Sequence, residues 1–186
     1  MQSAAPFCTA DMVRDLIVEE HAWPRHETVH GELLVTPAPR MGHQELVRRI
    51  LVALSSYLDQ HGPAKAHVLM SPADISWGPD SLVQPDIFVV PIDEARPLRW
   101  SGIAHLLLAV EVLSPSSVRA DRFTKRRLYQ ENGVGLYWVI DIDGRSAEAW
   151  RPESVQPELI RDRLTWHPAG AAEPFVMGLE ELFRPV

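Results

Sequence analysis

From Gly42 to His61 the apolar residues Leu46, Val47, Ile50, Leu51, Leu54, Tyr57 and Leu58 recur every three or four positions, the spacing of one buried helix face. Gly62 and Pro63 supply a stop, so a long amphipathic helix is predicted there. A shorter stripe of Met12, Val13, Leu16 and Ile17 predicts an N-terminal helix with Thr9 as its cap. Between the two, "RHETVHGELLVTPAP" carries a turn signal at His30-Gly31 and is closed by Pro37 and Pro39, which predicts a hairpin. Beyond the long helix the runs shorten. "AKAHVLM", "ADISW" and "SLVQPDIFVV" have strand length and are set off by Pro or Gly. "HLLLAVEVL" is almost unbroken in its apolarity, the pattern of a central strand covered on both faces. Asp121 to Asn132 predicts a helix stopped at Gly133, and "GLYWVIDI" with "SAEAWRP" predicts a hairpin across Asp143-Gly144. One more strand within "ELIRDRLTWHP" and a short helix near Gly178–Phe183 complete the pattern. The sum is a single α/β domain over residues 1–186, with a central mixed sheet flanked by helices and an N-terminal helix and hairpin.

Composition narrows the functions available. No apolar stretch approaches the roughly 18–20 residues that span a bilayer. The start, "MQSAAPFCTADMVRDL", lacks the cationic and apolar segments of a signal peptide, so a cytoplasmic protein is expected. Cys8 is the one cysteine, which excludes an internal disulfide and a cysteine-based zinc site. The eight histidines show no zinc-protease spacing. Ser114 is followed by Pro115 and sits in no G-x-S-x-G elbow, which counts against a serine hydrolase built with His105 or His43. A net charge of -7 argues against an indiscriminate nucleic-acid binder. It leaves room for a local basic patch, and residues 119–127 carry Arg119, Arg122, Lys125, Arg126 and Arg127 against the single acid Asp121. Such a run alone reads as a solvated helix face.

Candidate chemistry begins with Glu111, an acid inside the most apolar strand. A lone ionised carboxylate in such a place must be neutralised, paired or bound to a metal. Asp86 is a second acid within a strand-like apolar run. Two carboxylates on neighbouring strands suit a hard divalent cation that keeps several waters. Each could equally form a buried ion pair with an arginine, and these two residues alone leave that choice open. Lys125 adds weight to the first reading. The chain holds only two lysines, Lys65 and Lys125, with arginine supplying the rest of its cations. At about 100° per residue, Lys125 shares a helix side with Leu128, Tyr129 and Asn132. That side faces the sheet, where Glu111 lies.

The run "LAVEVLSPSSVRADRFTKRRLYQENGVGLYWVID", with "VQPDIFVV" and "HGELLVTPAPRMGHQELVRRI" before it, resembles the Uma2 family of restriction endonuclease-like proteins, within the PD-(D/E)XK nuclease superfamily. The resemblance covers roughly residues 25–150. It implies a restriction endonuclease-like fold and a metal-dependent endonuclease that hydrolyses phosphodiester bonds in DNA. It makes Asp86 the motif aspartate and Glu111 the motif acid, holding Mg2+ (or Mn2+ as a substitute) together with the Val112 carbonyl. Two positions beyond Glu111 stands Leu113, where the superfamily pattern has lysine, and the resemblance assigns that role to Lys125. Glu32 matches the acid that enters from the first elements of the fold, its other reading being an exposed hairpin residue. Arg119, Arg122 and Arg126 are expected to grip the DNA backbone. His43 is a candidate substrate contact, with packing or capping at the helix start as its other reading. Tyr129 reads as core packing with its hydroxyl on a site carboxylate. Cutting two strands would call for a homodimer. The alternative reading is a catalytically silent nuclease fold that serves as a nucleic-acid-binding or assembly module.

Overall fold

The computed structural model describes residues 6–18, 24–61 and 65–186. Gly62, Pro63 and the Ile17 side chain lie outside the described residues. Helix α1 (Ala10–Val18) starts where Thr9 Oγ1 accepts the Met12 N–H at 3.2 Å, satisfying one of the free donors of the first turn. Strands β1 (Arg25–Val29) and β2 (Glu32–Thr36) form a hairpin whose two turn residues, His30 and Gly31, both have positive φ. That backbone matches the right-handed twist of the strands. The long helix α2 (Met41–Gln60) buries Leu46, Val47, Ile50 and Leu54.

Five further strands lead to the site and past it: β3 (Ala66–Met70), β4 (Ile75–Gly78), β5 (Ser81–Val83), β6 (Ile87–Pro91) and, after the short helix α3 (Ile92–Ala95), β7 (Leu108–Val112). A π-helical turn (Ala120–Lys125) runs into α4 (Arg126–Glu131). The chain closes with β8 (Tyr137–Asp141), β9 (Ser146–Trp150), β10 (Glu158–Ile160), β11 (Arg163–Trp166), β12 (Phe175–Gly178) and α5 (Leu179–Leu182).

Six strands form the central sheet in the order β10-β9-β8-β7-β6-β3. The sheet is mixed, because β7 runs parallel to β8 and antiparallel to β6. Every residue of β7 is buried, so the unbroken apolar run is indeed a central strand covered on both sides. Leu108, Val110 and Val112 pack with α2 and the β11-β12 hairpin, while Ala109 packs on the opposite face with Phe88, Tyr129 and Val139. Alternation therefore sends Glu111 to the second face. A four-stranded sheet, β2-β1-β5-β4, lies in the same second cluster through Val29, Ile75 and Val83.

Three local predictions need correction. "SLVQPDIFVV" is two strands in two sheets: Gln84 turns its N–H to the Glu27 side chain and Pro85 has none, so ladder pairing stops between β5 and β6. The helix over 121–132 opens as a π-helical turn before continuing as α4. The tail holds three strands, β10 pairing with β9 and β11 with β12. One glycine fixes the approach of β8 to β7. A Cβ on Gly135 would stand 2.9 Å from the Leu107 carbonyl oxygen, a backbone atom that cannot swing away. Gly135→Ala is expected to cost about 1–3 kcal/mol, read as a lower denaturant midpoint at unchanged slope.

Candidate active site

The register between β6 and β7 pairs Ile87 with Val110, and one step further it sets Asp86 opposite Glu111. Both side chains take the second face of the sheet and both line one cavity of about 20 Å3. That volume holds one water or one ion. Asp86 is 4% exposed and Glu111 2%. Asp86 Oδ2 accepts the Val112 N–H at 2.9 Å and lies 3.0 Å from His43 Nε2; Oδ1 accepts from Arg25 Nη1 at 3.1 Å. Glu111 Oε1 accepts from Lys125 Nζ at 3.0 Å and from the Tyr129 hydroxyl at 2.9 Å.

Lys125 is also fully enclosed, because the π-helical turn directs it and Asp121 toward the sheet together. Its ammonium stands 2.8 Å from Glu27 Oε2 and 3.4 Å from Asp121 Oδ1. These two contacts are electrostatic only. Glu27 Oε2 and Asp121 Oδ1 are buried acceptors without a hydrogen-bond donor among the described residues. Glu27 enters from β1, where Arg25, Glu27 and Val29 alternate onto the inner face, and its Oε1 accepts the Gln84 N–H at 2.7 Å.

The charges do not balance. Four buried carboxylates, Glu27, Asp86, Glu111 and Asp121, meet two permanent cations among the described residues, Arg25 and Lys125, so the acids outnumber the cations by two. Burial alone would push the Asp86 carboxyl up, but the hydrogen bond and charge of His43, the Arg25 guanidinium and the Val112 N–H bring it down to about 2. Burial carries Glu111 well above the usual carboxylate range; Lys125 opposes this, while Asp121, Asp86 and Glu27 add to it. Asp121 is raised for the same first reason. Burial would lower Lys125, yet Glu111, Glu27 and Asp121 hold it well above an ordinary amine. Lys125 is thus an ammonium throughout the physiological range.

The structure brings together Asp86, Glu111, Val112, Lys125, Tyr129 and His43. It leaves Glu32 apart: that residue begins β2, exposed, at the turn end of the hairpin opposite Val29. The acid from the first elements is Glu27, five positions earlier and two strand residues deeper. Arg122 is held by Glu148 at 2.7 Å and Asp141 at 2.9 Å, and Arg126 lies over the Trp150 ring and bonds Gln130. Arg119 is exposed and has no ion pair among the described residues. His43 does more than pack at the start of α2, since its ring bonds Asp86 while its buried Nδ1 has no hydrogen-bond partner among the described residues.

A family model described as "Putative restriction endonuclease", Uma2, matches residues 11–173. The chain belongs to the Uma2 family. The match takes in the β1-β2 and β8-β9 hairpins, the central strands and every residue of the acidic cluster. A crystal structure titled as a putative nuclease belonging to DUF820 from Anabaena variabilis superposes with a TM-score of 0.73 at 24% identity, covering 94% of this chain and 97% of that one. It establishes the restriction endonuclease-like fold. No curated protein matches the chain.

Among the described residues, no three His, Cys, Asp or Glu side chains are gathered closely enough to enclose a metal ion. Among those residues there is thus no dedicated cage of the zinc kind. Mg2+ asks for less, commonly one or two carboxylates with the remaining positions left to water and substrate phosphate. Asp86 and Glu111 on one ion-sized cavity, more acids than cations around it and an orphaned Asp121 oxygen at the same wall fit such an ion.

Proposed function

We propose that this chain is a metal-dependent endonuclease that hydrolyses phosphodiester bonds in DNA by a PD-(D/E)XK-type mechanism. The observation that carries the reading is the facing pair Asp86 and Glu111 on one ion-sized cavity, with Lys125 Nζ 3.0 Å from Glu111. Asp86, Glu111 and the Val112 main chain would hold Mg2+, or Mn2+ in its place. When bound, that ion supplies positive charge to the phosphoryl oxygens and acidity to its water.

The residues divide the remaining work. Lys125, fixed as an ammonium, cannot act as a base; it donates, holding Glu111 in place and offsetting charge that develops on the phosphate. With both acids engaged by the ion, the proton of the attacking water passes to solvent. That water's oxygen forms the new bond to phosphorus, the P–O ester bond breaks, and the leaving oxygen is protonated from solvent. Tyr129 and Val112 orient the two acids through the hydrogen bonds given above. Arg119 is the basic residue of the 119–127 run best free to meet the backbone.

DNA cleavage is expected in Mg2+ or Mn2+ and absent in a chelator, and Asp86→Asn should slow it at least about a hundredfold. Equal nicking by wild type and variant would assign the activity to a contaminant.

A second reading is a silent nuclease fold that binds without cutting. Its support is that both acids already have protein cations and that no three-residue metal group forms among the described residues. Mn2+ binding to wild type, lost in Asp86→Asn, without cleavage of any DNA or RNA, would favour it.

A further inference from the structure

We infer that the nucleotide beside the scissile phosphate places its base, unpaired, in a cleft next to the catalytic cavity, so that single-stranded or locally unpaired DNA is the substrate class. This rests on the nuclease reading and adds to it which form of DNA is cut. The cleft has a volume of about 380 Å3 and shares two walls, His43 and Ser114, with the cavity that holds Asp86 and Glu111. Small-molecule pockets fall in the range of about 300–1,000 Å3. A group in the cleft is therefore separated from Asp86 by one imidazole ring.

The lining selects a base over a phosphate. Leu113, Pro115, Val118 and Ile142 give apolar faces, and the acids Asp141 and Asp143 stand beside them. A phosphodiester would meet those two carboxylates. Burial would raise the Asp141 carboxyl, but the Gly144 N–H and the Arg122 guanidinium keep it below the usual range, so it is ionised. Arg122 cannot turn to a phosphate, because Asp141 and Glu148 already occupy it. A flat, uncharged ring with polar edges meets no such repulsion, and its N–H groups can donate to the acids. Arg40 stands exposed on the cleft, without an ion pair among the described residues, where the backbone would pass.

Topology supplies the rest. In a matched duplex a base is covered by its stacked neighbours and its partner, and it enters such a cleft only by leaving the stack. That step costs least where the base is already single-stranded or unpaired.

The test gives the protein, with Mn2+, three oligonucleotides of one sequence: single-stranded, matched duplex, and duplex with one unpaired nucleotide. The two with an unpaired base should be cut roughly tenfold faster or more, as the loss of stacking contacts to a single base implies. Val118→Trp and Ile142→Trp each add bulk to the cleft lining. Each should shrink that advantage to about twofold or less, with the duplex rate and melting temperature held. Equal rates on all three substrates overturn the inference and leave the nuclease reading standing. If no oligonucleotide is cut, the nuclease reading falls instead, and fluorescence anisotropy on the same strands decides the cleft. Tighter binding of the unpaired forms, lost in both tryptophan variants, upholds it; equal binding overturns it.

Discussion

Replacing Lys125 with methionine is expected to destabilise the protein by about 3–5 kcal/mol near neutral pH, the cost of removing one partner from a buried ion pair. Methionine keeps the length of the side chain, so the loss is electrostatic rather than a cavity. Glu27, Glu111 and Asp121 all lie within 3.4 Å of the ammonium, and each is almost wholly buried. Among the described residues, Arg25 would then be the one permanent cation left beside four acids. For a chain of this size the loss should lower the melting temperature by roughly 10 °C.

The loss must also depend on pH, and its sign follows from the carboxylates. Glu111 and Asp121 already bind protons more tightly in the folded protein than in the unfolded chain. An acid of this kind costs stability when ionised, and the cost is relieved as pH falls through its raised folded value toward its ordinary one. Lys125→Met raises both acids further. The variant should therefore lie closest to wild type near pH 4–5, where the acids can take up protons, and fall away as pH rises. Melting curves across that window, for both proteins, give the comparison. A pH-independent difference would mean that Lys125 contributes packing alone.

Much of this cluster was legible in the chain because its members break local rules. Glu111 interrupts the most apolar strand, Asp86 sits at the mouth of the next, and Lys125 is one of two lysines in a chain whose other cations are arginines. Glu27 breaks no such rule. It is flanked by His26 and Thr28 in a strand that reads as polar, and only alternation back from the buried Val29 reveals that Arg25 and Glu27 face inward. Glu32, beside the apolar "LLV", presented the stronger local contrast and proved to lie, exposed, at the turn end of the hairpin. Asp121 was concealed differently, as a lone acid among cations. It lies four residues before Lys125, on the same helix side, so the spacing that turned the lysine inward turned Asp121 inward too. The basic run likewise gave no sign that Arg122 would be taken up by Asp141 and Glu148, which arrive from the next hairpin. Contacts made across sheets are where reading one segment at a time fails.

Glu111→Gln should separate chemistry from folding more sharply than any other change at the site. The amide is close in size to the carboxyl, can still accept from Tyr129, and leaves Lys125 between Glu27 and Asp121. It also removes one of the acids that outnumber the cations. Stability should hold or rise slightly, within about 1 kcal/mol of wild type, because an acid that is costly to ionise has been made neutral. Cleavage, in contrast, would lose a charged metal ligand on the proposed mechanism. A fall on the order of a thousandfold in single-turnover rate is expected. Mn2+ affinity should weaken in parallel, which calorimetry on the folded variant reads without reference to activity. A variant that cuts DNA as fast as wild type would show that Glu111 serves only as the counter-ion of Lys125, and the facing acids would then have no catalytic meaning.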